Sequence, residues 1–317
     1  MYTRMPEWLS NKIIYLAWPY AENLWQHNLL PAQQEFLQLL KALENQEKVI
    51  LVPDSLVKFE LDSKTKIQVL PYGDIWLRDT LPIFVNAHHK TKAIVPKFNG
   101  WGNKYLFEAD KTLASSLVNL LGIEYQESFL TFEGGSLEFD GAGTLLTTKQ
   151  CLLNSNRNPS ISVSVIEDEL KRLFGVTKII WFDEGLQNDH TDGHVDTIAR
   201  FIAPHTVAIM TSSDKEDPNE QVLTAIKNTL LKNGLKIVEL PSPGKILDDN
   251  SDIMPASYLN FIFSNDEIIM PIYGSKYDEL ATKTLAKATN KKVIGLMAKA
   301  ILTGGGAFHC MSQEYFL

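Results

Sequence analysis

Two cysteines occur in the 317 residues, Cys151 and Cys310, and the second stands in company that suggests chemistry. The segment LTGGGAFHCMSQ, residues 302–313, places Gly304, Gly305 and Gly306 just ahead of His309 and Cys310. Glycines let backbone approach a ligand or adopt positive φ without a Cβ penalty. A thiol acts as a nucleophile only as thiolate, so it needs a cationic or proton-accepting neighbour. A cysteine without such surroundings is a small buried hydrophobe, and Cys151, followed by two leucines, reads that way.

A second constellation is NDHTDGHVDTIARF, where Asp189, Asp192 and Asp196 lie beside His190 and His194. The triplet His194-Val195-Asp196 reads as the opening of a strand, which would turn both side chains to one face. A histidine and a carboxylate so placed can shuttle a proton and anchor a substrate. Such clusters also bind divalent cations, but no HExxH or paired CxxC spacing accompanies this one, and no metal is expected. Two further acidic segments follow the same style. PYGDIWLRDTLPIFV carries Asp74 and Asp79 around Trp76, and TFEGGSLEFDGAGT sets Glu133 before two glycines, each ahead of an expected strand. One thiol, one histidine and several carboxylates at strand ends suit a guanidinium substrate. That group is planar, stays cationic and presents five donors in a rigid fork, which carboxylates grip in bidentate fashion. Its central carbon is then open to a thiolate. No GxSxG elbow points to a serine hydrolase instead.

These residues must be positioned by a frame of short strands and amphipathic helices. Strand-like runs are IIYLAW near Ile13, KVILV, KIQVL, LPIFV, AIVPKF, TKIIWF, TIARFI, TVAIM, LKIVEL, YLNFIF, EIIMPIY and KKVIGL. In SLEFDGAGTLLTT, Asp140-Gly141 between two apolar runs signals a hairpin. Helical spacing marks segments near Leu29, Leu106, Ser162, Asn219 and Lys276, ending on Gly or Asn, both favoured helix stops. The five helices alternate with pairs of strands at a repeat of roughly 55–60 residues. We read one α/β domain over residues 1–317 built from five related units, with a three-layer open sheet as the competing arrangement.

Composition narrows the function classes. Hydrophobic residues make up 44% and charged residues 21%, ordinary for a globular protein. The net charge of -8 argues against non-specific nucleic-acid binding, which needs a basic footprint. It suits a cationic substrate, although an acidic solvated surface explains it equally well. Two cysteines form no disulfide framework. The N-terminus lacks a secretory pattern, and no apolar run approaches the ~20 residues needed to span a bilayer. The expectation is a cytoplasmic protein with no membrane partner, and a homodimer is the default assembly.

The segments YLAWPYAENLW, DIWLRDTLPIFV, KFNGWGNKY, FEGGSLEFDGAGTLLTT, LLNSNRNP, TDGHVDTIARF, PASYLNFIFSNDEIIMPIYG and GGGAFHCMSQ together resemble the agmatine deiminase family of the guanidino-modifying superfamily. They run in family order from about Tyr15 to Gln313. The resemblance implies a five-bladed pseudo-symmetric α/β propeller with a central site. It implies Cys310 as nucleophile, His194 as general acid and base, and Asp79 and Asp196 as carboxylates that bind the guanidinium. Glu133 supports the same pocket, and His309 receives no chemical role. Trp76, Trp101 and Tyr105 are expected to line the pocket, with Asp192 and Gly306 also in the substrate-binding set. The implied reaction converts agmatine to N-carbamoylputrescine and ammonia through a covalent amidino-thioether on Cys310, with no metal or organic cofactor. Leu81 replaces the usual glycine of RDTGP, His190 stands where an acidic residue is usual, and the chain is shorter than many relatives. These departures bear on the substrate more than on the reaction. An arginine or peptidyl-arginine deiminase or an amidinotransferase would share the scaffold. A basic residue in the pocket would favour arginine, and an acidic one agmatine's terminal amine. A non-catalytic guanidine- or polyamine-binding protein is the rival of another class.

Overall fold

The computed structural model describes residues 2–54, 62–88, 90–213 and 215–317. Four sheets of three strands repeat one plan. They are β4 (Ile83–Ala87), β5 (Lys90–Lys97) and β6 (Glu124–Thr131); β7 (Glu138–Phe139), β8 (Thr144–Thr148) and β9 (Lys178–Phe182); β10 (Ala199–Ala203), β11 (Thr206–Thr211) and β12 (Lys236–Pro241); and β13 (Ile262–Phe263), β14 (Glu267–Ile272) and β15 (Lys292–Met297). In each the first strand runs antiparallel to the second, and the second runs parallel to the third. A helix makes the parallel crossover, as parallel neighbours require. The fifth sheet joins the two ends of the chain. There β16 (Ser312–Phe316) is antiparallel to β1 (Lys12–Ala17), which is parallel to β2 (Lys48–Val52) and followed by β3 (Thr65–Val69). The crossover helices are α1 (Leu29–Ala42), α2 (Asp110–Leu121), α3 (Val163–Phe174), α4 (Glu220–Lys232) and α5 (Asp278–Thr289). The α/β class and the five-unit organisation agree with the sequence reading, and no single open sheet forms among the described residues.

Local chemistry explains the elements. The Ser162 side chain accepts a hydrogen bond from the Val165 N–H at the start of α3, an N-cap, and Gly175 ends that helix with φ +66°, the stop that the sequence suggests. The hairpin between β7 and β8 turns on Asp140, whose Oδ1 accepts from Ala142 N at 2.8 Å and Thr144 N at 2.7 Å. The second strands β8, β11 and β14 are deeply buried, with Leu145, Leu146, Val207–Met210 and Ile268–Met270 at or near zero exposure, as expected for strands covered on both faces.

Four expectations are corrected. The strand β6, sequence EYQESFLT, and the strand β16, sequence SQEYF, carry no clear strand pattern. The first is an edge with Tyr125 and Phe129 outside, and the second buries Ser312, Gln313 and Glu314 along with Phe316. The acidic segments do not run straight into strands. Leu77–Thr80 is one helical turn, and Gly134–Ser136 and Val195–Thr197 are 3₁₀ turns. The alternation argument for His194 and Asp196 therefore fails, although the turn itself brings both inward. Finally, most of YLNFIF is a loop, with only Ile262–Phe263 paired. Among the described residues no helix is long and apolar enough to cross a membrane.

Leu170 on α3 is fully buried. Leu170→Ala is expected to lower unfolding free energy by about 2–5 kcal/mol. Urea denaturation followed by circular dichroism measures it.

Candidate active site

The chemistry-bearing side chains sit at the same place in each unit, on the turn that precedes the first strand of a sheet. Asp79 lies before β4, Glu133 before β7, His194 and Asp196 before β10, Asn260 before β13 and Cys310 before β16. Asp79 Oδ1 accepts from Gly135 N at 2.9 Å and its Oδ2 from Trp101 Nε1 at 2.8 Å. Trp101 holds this bond from a left-handed conformation, φ +53°, uncommon for a bulky residue and often tied to function. A Cβ on Gly135 would fall 2.6 Å from His194 Nδ1 and 3.1 Å from both Asp196 Oδ2 and Asp79 Oδ1. Three functional groups thus converge on one glycine.

The thiol side is built from the glycine run. On α1 the buried Glu35 accepts from Ala300 N at 3.0 Å and Ile301 N at 2.8 Å, holding the turn that launches the run. A Cβ on Gly306 would lie 2.8 Å from Trp76 Cζ3 and 2.9 Å from Cys310 Cβ, so only glycine lets these groups close. Asn260 locks the loop beyond: its Oδ1 accepts from Ala307 N and Cys310 N, both at 3.1 Å, and its Nδ2 donates to Cys310 Sγ at 3.0 Å. The thiol also reaches Asp196 Oδ2 at 3.4 Å.

Cys310, Asp79, Trp76, Trp101, Tyr105 and Gly306 line one cavity of about 190 Å³. A polar groove of about 790 Å³ shares Leu24, Asp74, His190, Thr303, Gly304 and Gly305 with it. These six therefore form the mouth, while Asp79, Trp101 and Cys310 belong to the inner end. Asp74 stands at the mouth, taking N–H groups from Trp25 at 3.0 Å, Trp76 at 2.9 Å and its neighbour Ile75 at 2.8 Å. Among the described residues no Lys or Arg lines the cavity or the groove. Asp192 is not among the lining residues. Its oxygens are taken by Lys104 at 2.7 Å, Arg157 at 2.6 Å and Asn156 at 3.0 Å.

His194 is fully buried, and neither ring nitrogen makes a hydrogen bond among the described residues. Nδ1 lies 3.8 Å from Asp79 and Nε2 3.5 Å from Glu133. Burial opposes its charged form, but Asp79, Cys151 and Glu133 outweigh burial and hold the imidazole well above its ordinary range. Burial pushes the Cys310 thiol well up, and the charges of Asp196 and Asp79 push it the same way. Burial also raises Asp79 and Asp74, each to about 6. Asp196 behaves differently. Burial works against its charge, yet the His309 hydrogen bond and the charges of His309 and His194 hold it below the usual carboxylate range. Glu133 is likewise lowered against burial by His194 and Arg157; Arg157 Nε reaches both its oxygens at 2.9 Å.

Two buried groups bring metal-type donor atoms within 4.8 Å of one another: Glu133, Cys151 and His194, and Glu7, Glu138 and His309. In each, carboxylates are already paired with arginine: Glu133 with Arg157, Glu7 with Arg78 and Arg200, and Glu138 with Arg200. Sequence reasoning left Asn260, Arg157 and Glu7 out of the site. Asn260 is a lone polar residue in an apolar run, the one local signal available. Arg157 and Glu7 lie far from their partners along the chain.

A buried thiol beside two carboxylates and a charged imidazole, at the inner end of a cavity with no Lys or Arg among its described lining residues, has the chemistry to suit a planar cation. The family model described as Porphyromonas-type peptidyl-arginine deiminase matches residues 3–315, and the chain belongs to that family. A Mycoplasma capricolum protein named "Putative agmatine deiminase" is 34% identical over 97% of this chain and 94% of its own. The solved C. jejuni agmatine deiminase with substrate bound is 33% identical, covering all of this chain and 97% of that one with a TM-score of 0.94. The agmatine deiminase of Enterococcus faecalis gives 29% identity and a TM-score of 0.91, with 99% and 95% covered.

Gly135→Ala puts a methyl group where His194, Asp79 and Asp196 converge. It is expected to lower kcat/KM at least about tenfold, while circular dichroism retains the native spectrum.

Proposed function

We propose that the chain is an agmatine deiminase, hydrolysing agmatine to N-carbamoylputrescine and ammonia. The observation that carries the substrate is the pair of carboxylates at opposite ends of one cavity, Asp79 inside and Asp74 at the mouth, with no Lys or Arg among the described lining residues. Agmatine carries a cation at each end. The α-carboxylate of arginine would meet Asp74 instead, with no Lys or Arg to pair it. The carboxylates Asp189, Asp248, Asp249 and Asp252 in the groove favour the approach of a dication.

Asp79 and Asp196 hold the guanidinium nitrogens, and Cys310 faces the carbon. In the empty site the thiol stays protonated because burial, and after it the charges of Asp196 and Asp79, oppose a further negative charge. A bound guanidinium offsets that opposition, so the thiol gives its proton to solvent water when the cation to be attacked is present. The sulfur bonds to the guanidinium carbon. The C–N bond breaks, and ammonia leaves with a proton that His194 delivers. The amidino-thioether remains on Cys310. His194, now neutral, takes a proton from water, which attacks the same carbon and releases the ureido product with the thiol. Glu133, fixed by Arg157, keeps His194 charged between turnovers. Asp192 anchors Arg157 from the far side rather than touching substrate. Trp76 and Trp101 flank the alkyl chain. For the frame we infer five blades around one axis, supported by the recurrence of the site residues before the first strand of every sheet.

Ammonia release from agmatine, free arginine and a blocked arginine peptide offered in parallel tests the substrate. Agmatine alone is expected to react, and Cys310→Ser is expected to be inactive with agmatine still bound. Preferential release from arginine would reassign the substrate, and an active Cys310→Ser protein would remove the nucleophile.

The pH dependence is a separate expectation. Asp79 and Asp74 are raised to about 6 in the free protein, and both must be ionised to bind a dication. Activity is therefore lost as pH falls through that value. The plot of log kcat/KM for agmatine should steepen towards a slope of two below pH 6. A flat profile down to pH 4.5 would contradict this.

A further inference from the structure

We propose that His309, the residue before the thiol, is a positioning residue: a buried cationic strut that holds Asp196 against Cys310 with one carboxylate oxygen fixed and the other left open for the substrate. The inference rests on the deiminase reading of the same site. His309 is 1% exposed. Its Nδ1 meets Asp196 Oδ2 at 2.7 Å, and its Nε2 meets both oxygens of Glu7 at 3.1 and 3.0 Å. An ionised carboxylate only accepts hydrogen bonds, so with both acids ionised each ring nitrogen must donate, and the ring carries a positive charge.

The strut is braced from behind. Glu7 also takes Arg78 Nη1 at 2.8 Å and pairs with Arg200, whose Nε reaches Glu138 at 3.1 Å. Arg78 adds a contact to the His309 carbonyl at 3.4 Å and its own N–H to the Cys310 carbonyl at 3.1 Å. At the other end Asp196 Oδ2 also receives the Cys310 thiol and Asn260 Nδ2, both at 3.4 Å. Asp196 Oδ1 is buried without a partner among the described residues. That is the oxygen available to a guanidinium.

The contrast with Asp79 gives the strut its purpose. Both Asp79 oxygens rest on neutral N–H donors, from Gly135 and Trp101, whereas Asp196 rests on a charged one. Asp196 is the lowered carboxylate and Asp79 the raised one. The cations whose charges act on Asp196 are His309, His194, Arg200 and Arg78, and it acts in turn on Asp79 and Cys310. Of these cations only His309 is hydrogen-bonded to it.

His309→Gln keeps similar bulk and an N–H but carries no charge. KM for agmatine is expected to rise at least about tenfold, and the lower break of the kcat/KM acid limb, where Asp196 protonates below Asp79 and Asp74, to move up by about one pH unit. A role confined to stability would lower the thermal midpoint and leave that limb where it is. His309→Asn is also uncharged, reaches Asp196 or Glu7 but not both, and is expected to shift the limb in the same direction; it carries the test if His309→Gln does not fold. Agmatine binding by calorimetry in the Cys310→Ser protein, with and without His309→Gln, reads the same loss without turnover. A folded His309→Gln protein with wild-type KM and an unmoved acid limb overturns the inference, as does an unmoved limb in a folded His309→Asn protein. Turnover by the wild-type protein, measured alongside, separates a failed strut from failed deiminase chemistry.

Discussion

Everything in this molecule closes on a buried set of ion pairs that ties the chain's two ends to the site. Arg4 and Arg78 both reach Glu314 on β16, Arg78 and Arg200 share Glu7, and Arg200 also takes Glu138 on β7. All of these side chains are fully or almost fully shielded from water. Desolvating so many charges is expensive unless each is paired and hydrogen-bonded, and here each arginine finds a carboxylate. Removing one partner would leave an uncompensated charge in the interior. The arrangement therefore dictates geometry: the N-terminal segment, β16 and the turns before β4 and β10 have to meet at one point.

That meeting sets the electrostatics of the cavity above it. Carboxylates, a thiol and an imidazole compete for a few positive charges in a space that excludes water, where interactions between charges are stronger than in solution. The outcome is uneven. His194 and Asp196 are held charged, Asp79 titrates nearer to neutral pH than an ordinary carboxyl, and Cys310 remains a thiol. A site in this condition lacks one cation at its inner end. On the proposed reading a guanidinium supplies it, and in doing so changes the protonation of the thiol.

How much of this could be read along the chain follows from where the signals lie. Cys310 was visible because three glycines precede it, and a glycine run demands explanation by close approach. Asp79, Glu133, His194 and Asp196 were visible as polar residues ahead of apolar runs, and the family resemblance covered all of them. Asn260 was hidden in YLNFIF, where one polar residue among aromatics and aliphatics reads as part of a strand. Glu7 was hidden altogether, since a glutamate in a polar N-terminal segment looks like any surface residue. Asp192 was placed with the substrate because it adjoins His194 in sequence. Yet its left-handed backbone, φ +64°, accompanies a side chain directed to Lys104 and Arg157, away from the cavity.

The sequence by itself determined what depends on local pattern and residue type: the α/β class, the five helices, the hairpin at Asp140, a thiol set apart by its glycine run and carboxylates suited to a cation. Tertiary structure decided what depends on distance between remote residues. It joined β16 to β1 and put Glu7 beneath His309. It also left the cavity mouth with Asp74 and, among the described residues, no Lys or Arg, the feature on which the proposed preference for agmatine over arginine rests. The physical reason is that periodicity and capping are encoded within a few residues, whereas the protonation and pairing of buried charges depend on which groups folding brings within a few ångströms.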